Sequence, residues 1–124
     1  MQNLALISLF GVLGVLSRFG IDRFFGSWNE HFPASTLLIN LLGSFMAGTI
    51  YALSENKFLS DGLQVALLVG FCGGFTTFSA YTLQTLTMID RGKLIPAFSY
   101  LLISPVLGTL AAFFAVVVTR RLIL

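Results

Sequence analysis

Four long apolar runs separated by three short polar stretches set the layout of the chain. The runs cover residues 4–25, 35–53, 62–89 and 94–118. Each reaches or approaches the length of about 20 residues that a helix needs to cross a bilayer. The connections, residues 26–33, 54–61 and 90–93, are long enough for turns and little else. The pattern predicts an all-α membrane protein with four transmembrane helices, in a single transmembrane domain covering residues 1–124. The third run carries an irregularity at its centre, Gly70-Phe71-Cys72-Gly73-Gly74-Phe75-Thr76-Thr77-Phe78-Ser79. A glycine pair and a threonine pair weaken a helix, so a break is expected near residues 73–77. Backbone freed inside hydrocarbon must be buried in protein or line a polar cavity. Broken transmembrane helices commonly bind ions through such groups. The stretch is therefore a candidate ion site, or else a glycine-rich surface that lets another helix approach closely.

The other runs carry fewer polar marks. In the first, Arg18 and Asp22 lie four residues apart on one helix face and can pair. An arginine there either snorkels at a helix end or serves an ion pathway. In the second, Asn40 lies well inside the apolar run. Gly43 with Ala47, and Ser44 with Gly48, have the small-residue spacing of close helix contacts. Asn40 can act as interhelical glue or as a donor beside a pore, and the two uses are compatible. After the expected break, Phe78, Tyr81, Thr82 and Thr85 fall on one helical face. In the fourth run Pro105 frees a carbonyl that something must satisfy, and Gly108 with Ala112 repeats the small-residue spacing. His31, in the first connection, has no cysteine or acidic cluster at ligand spacing and reads as a solvated loop residue.

Composition agrees with the pattern. Of 124 residues 56% are hydrophobic and 10% charged, against about 25% charged in soluble domains. A net charge of +2 without a basic patch gives no reason to expect a nucleic acid partner. The single cysteine, Cys72, reads as a small packed hydrophobe. The N-terminus lacks the basic start of a signal peptide, so the first run is expected to stay in the mature chain. Lys57, Arg120 and Arg121 fall on one side of the membrane. Arg23, Arg91 and Lys93 fall on the other, with Arg18 near them. The positive-inside rule acts on this difference, and here it nearly vanishes. The balance predicts dual topology, with opposite copies forming an antiparallel homodimer.

Four functional classes are weighed. A small dual-topology multidrug or cation antiporter needs an ionisable carboxylate within the bilayer. Asp22, Glu30, Glu55, Asp61 and Asp90 all lie at or near run ends, which argues against it. A non-transporting membrane assembly subunit would leave the break unexplained. An enzyme is not expected, because no nucleophile–base pair, metal cluster or acid pair stands out. Passive transport of a small anion remains. The polar groups within the runs, among them Asn40, Ser44, Thr76, Thr77, Ser79, Thr82, Ser104 and Thr109, can all donate hydrogen bonds. Aromatic ring edges are partly positive as well.

The motif at residues 70–79, Thr-Leu-Leu-Ile-Asn-Leu-Leu-Gly at 36–43 and the Arg18 region together resemble the Fluc (CrcB) fluoride channels along essentially the whole chain. The resemblance implies a fluoride-selective channel that exports the ion passively and lowers cytoplasmic fluoride. It implies a multi-pass protein of the inner (plasma) membrane, embedded in lipid, and a dual-topology dimer with two pores. It also implies a sodium ion at the dimer interface, held by backbone carbonyls that correspond to Gly73 and Thr76. The family's pore asparagine matches Asn40, and its first pore phenylalanine matches Phe78. Its polar track resembles Ser79, Thr82 and Thr109, and its vestibule arginine resembles Arg18. There are two departures: Tyr81 stands where the family usually has a second pore phenylalanine, and Gln84 where it often has glutamate.

Overall fold

The computed structural model describes residues 2–123, so positions 1 and 124 of the expected domain lie outside the described residues. Helix α1 spans Gln2–Phe25 and runs into a 3₁₀ turn at Gly26–Glu30. Helix α2 spans Ala34–Glu55. A third span, Asp61–Asp90, follows. It opens as α3, Asp61–Val65, capped by Ser60 Oγ, which accepts from Leu63 N. It widens into π-helical turns over Ala66–Cys72 and ends its first half as α4, Gly73–Phe75. Thr76 and Thr77 are extended, with φ/ψ of −79/158 and −148/115. Helix α5, Phe78–Asp90, then resumes. A tight turn through Gly92, at φ 73, leads to α6, Leu94–Ile123, which is helical through Pro105. In all, four spans among the described residues are long and apolar enough to cross a membrane.

Packing follows from small residues. Ala52, Ala66, Ala97 and Ala115 are fully buried, whereas Leu4, Val12, Leu102 and Phe113 point outward. Large apolar side chains outside and small ones between helices suit a chain whose solvent is lipid. Helix α1 lies against the first half of the third span. There a Cβ on Gly14 would strike the Phe71 carbonyl oxygen, and one on Gly74 would strike that of Gly11. Backbones meet where side chains would otherwise stand. Helices α2 and α6 use their small residues on each other. Gly48 sits against the Ala112 backbone, and Gly108 faces Ser44 Oγ.

Candidate functional site

The two extended threonines place the site. In a continuous helix the N–H groups of Thr77 and Ala80 would reach back to the carbonyls of Gly73 and Thr76. Here Thr77 N donates instead to Asn40 Oδ1, at 2.9 Å. Ala80 N donates to Thr77 Oγ1, at 3.2 Å. Asn40 Nδ2 in turn donates to the Thr77 carbonyl, at 3.2 Å. One carboxamide on α2 thus answers both backbone groups of the residue that caps α5. Thr76 is held from the other side: its N–H and Oγ1 both donate to the Cys72 carbonyl, at 2.9 and 2.8 Å. Its methyl fills the space where a Cβ on Gly43 would stand.

A cavity of about 510 Å³ opens beside this junction. Asn40 and Ser44 line it from α2, Thr76 and Thr77 from the interruption, Phe78 and Tyr81 from α5, and Ser104, Pro105, Gly108 and Thr109 from α6. Among the described residues no carboxylate borders it. Phe78 is 77% exposed, and its ring lies 5.7 Å from that of Tyr81. Tyr81 is buried, and its hydroxyl donates to the Leu101 carbonyl at 2.5 Å. Thr109 Oγ1 bonds back to the Pro105 carbonyl, at 2.9 Å.

A family model described as CrcB-like protein, Camphor Resistance (CrcB), matches residues 5–116. The chain belongs to the CrcB-like family. A relative from Methylococcus capsulatus is 39% identical over 98% of this chain, which spans 55% of that protein's length. One from Pseudomonas putida is 38% identical over 94% of the chain and 96% of its own length. One from Thermus thermophilus is 41% identical over 90% and 89% respectively. Each of the three bears the name Fluoride-specific ion channel FluC. With its four apolar spans, this CrcB-like chain is a multi-pass membrane protein.

The CrcB-like fold gathers some of the residues singled out in the sequence and separates others. Asn40, Phe78, Tyr81 and Thr109 share the cavity. Ser79 and Thr82 are exposed on the outer face of α5, off the cavity, where Thr82 Oγ1 bonds to the Ser79 carbonyl at 3.0 Å. Thr85, one turn on from Tyr81 on the same face, is buried, with Oγ1 donating to the Tyr81 carbonyl at 2.9 Å. Arg18 and Asp22 do not pair. Asp22 Oδ1 accepts from Ser35 Oγ at 2.6 Å, and the ion pair among the described residues is Arg120 with Glu55 at 2.8 Å. The i, i+4 spacing permitted the contact, but α2 presents a nearer donor, itself held by Asn29. Arg18 is half-buried, with its Nε lacking a partner.

Gln84 donates to Thr36 Oγ1 at 2.8 Å and accepts from the Tyr100 hydroxyl at 3.1 Å, joining α2, α5 and α6. It also borders a second cavity, of about 670 Å³, shared with His31, Arg91 and Lys93. In the sequence Thr77 is only one polar group among several. Its capping role nonetheless has a signal there, a threonine standing directly before a resumed apolar helix.

Proposed function

We propose that the chain is a fluoride-specific ion channel that lets fluoride leave the cell passively and so lowers cytoplasmic fluoride. The observation that carries the reading is the match over nine-tenths or more of the chain to relatives bearing that name. The character of the cavity supports it. Its polar lining consists of amide, hydroxyl and backbone groups, with the rings of Phe78 and Tyr81 beside them. Such groups can replace part of an anion's water shell. In this reading Asn40, Phe78, Tyr81 and Thr109 line the path. Ser79 and Thr82, on the outer face of α5, extend the path against a second copy, and Arg18 serves a vestibule.

The working unit is an antiparallel homodimer of dual topology in the inner membrane. The near balance of Lys and Arg across the spans supports it. A break in the third helix at its centre serves a sodium ion. The donor set fits such an ion: the carbonyls of Gly73 and Thr76 have lost the N–H partners a continuous helix would give them. Gly73 is also exposed, and a Cβ there would make no more than an ordinary contact with the Leu68 carbonyl oxygen. Hard cations take oxygen ligands. When bound, sodium would supply fixed positive charge near an anion path.

Fluoride efflux from proteoliposomes, run beside chloride at matched gradients, tests the function. Rapid fluoride efflux with little chloride efflux is expected. Efflux no faster than from protein-free vesicles, or equal for both ions, overturns it.

A further inference from the structure

Pro105 has no N–H, so the Leu101 carbonyl four residues earlier loses its helical partner. Helix carbonyls point along the axis toward the C-terminus. That of Leu101 is therefore aimed at residue 105, which forms part of the cavity wall. An uncovered carbonyl there would present an acceptor beside an anion path, the wrong sign for the traffic. In this chain the Tyr81 hydroxyl donates to it at 2.5 Å. The ring is held in place by Tyr100, with centroids 5.1 Å apart, and by Phe78 at 5.7 Å.

We propose that Tyr81 is a positioning residue that supplies the hydrogen bond Pro105 cannot, masking the Leu101 carbonyl from the anion path and fixing the α6 wall. The inference rests on the channel reading above and deepens it. Tyr81 then contributes its ring to the cavity but no O–H to the passing ion, because the hydroxyl's one proton is already committed. A phenylalanine at this position offers the same ring without the mask.

Tyr81→Phe, Pro105→Ala and the double variant, reconstituted as full chains, form the test. Fluoride efflux of Tyr81→Phe is expected to fall about three- to tenfold, the range set by one net hydrogen bond. In the double variant the N–H of residue 105 takes over the carbonyl, and efflux is expected to return to within about twofold of the parent. A purely structural tyrosine would lower the unfolding temperature and leave flux per folded protein unchanged. Unchanged flux in Tyr81→Phe, or a folded double variant no better than the single, overturns the proposal.

Should Pro105→Ala fail to fold, Tyr81→4-aminophenylalanine keeps a donor at the same place and Tyr81→4-methoxyphenylalanine keeps the bulk without one. Only the first is expected to retain flux, and equal flux overturns the proposal. A parent chain that passes no fluoride overturns the channel reading instead. The pairing is then still read from unfolding temperatures, because Tyr81→Phe should cost more with Pro105 than with alanine there. Equal costs refute the pairing itself.

Discussion

Replacing Asn40 by aspartate exchanges one nitrogen for oxygen and reverses the side chain's relation to one of its partners. The carboxamide donates to the Thr77 carbonyl at 3.2 Å and accepts from Thr77 N at 2.9 Å. An ionised carboxylate at this position keeps the second bond and sets two oxygens against each other in the first. The lost hydrogen bond removes about 0.5–1.5 kcal/mol, with more for the acceptor left unsatisfied. The charge matters more for transport. An anion passing at about 4 Å, at an effective dielectric near 20, is opposed by about 4 kcal/mol. That slows passage by about a thousandfold.

Asn40→Leu separates the charge from the lost bonding. Leucine is close to asparagine in size, carries no charge and makes neither bond with Thr77. The amide has two hydrogens, and only one is committed to the Thr77 carbonyl, which leaves the other for a passing ion. A hydrogen bond to a charged group is worth about 1.5–3 kcal/mol, so leucine should slow passage about ten- to a hundredfold. Aspartate loses the same donor and adds repulsion, so its flux should be the lower by a wide margin. Fluoride efflux from proteoliposomes at pH 9, far above the ordinary aspartate value of about 3.9, gives the comparison. Rates are corrected for protein-free vesicles and taken per folded protein, with thermal unfolding beside them. Parent-like flux of Asn40→Asp, or equal flux of the two variants, would refute the assignment of Asn40 to the path.

Phe78→Ile should suppress fluoride efflux while the chain still assembles as a dimer, checked by crosslinking. Normal flux would remove Phe78 from the path. Gly14→Ala drives a methyl into the Phe71 carbonyl and should destabilise by about 1–3 kcal/mol, read by denaturant or thermal unfolding. Gly20→Ala, where a Cβ meets nothing, should not. C-terminal reporter fusions should report both sides of the membrane. Lysines added at one terminus should fix a single orientation and reduce flux, and co-expression with an oppositely biased copy should restore it.

The helices could be read from the sequence because bilayer thickness leaves little freedom: an apolar run of that length between turns has one outcome. Ends differ by a few residues, as at Glu55 and Asp90, and most at α6, which runs on through Arg120 and Arg121 to Ile123. The small-residue spacings were legible too, but not their pairing, since Ser44 meeting Gly108 depends on the crossing of α2 and α6. The π-helical turns at Ala66–Cys72 left no mark in the pattern. They arise where α1 presses backbone to backbone against the third span. At the site, Asn40 was conspicuous as an amide deep in an apolar run, yet nothing local to either segment connects it to Thr77. Pro105 announced an orphan carbonyl, but its remedy lies on a different helix. Arg18 and Asp22 show the opposite failure, where a favourable local spacing yields to the Ser35 hydroxyl on α2.

The contact between Asn40 and Thr77 also bears on the order in which the protein is made. The two residues are 37 positions apart, and the ribosome delivers Asn40 first. A segment with two extended residues at its middle is a poor candidate to enter hydrocarbon alone, since its bare amide and carbonyl find no water there. By the time Thr77 emerges, α2 has already been synthesised and carries a side chain able to take up both groups. Vectorial synthesis thus presents the acceptor site before the segment that needs it. The later helix can be inserted against a ready template and need not wait for the rest of the bundle.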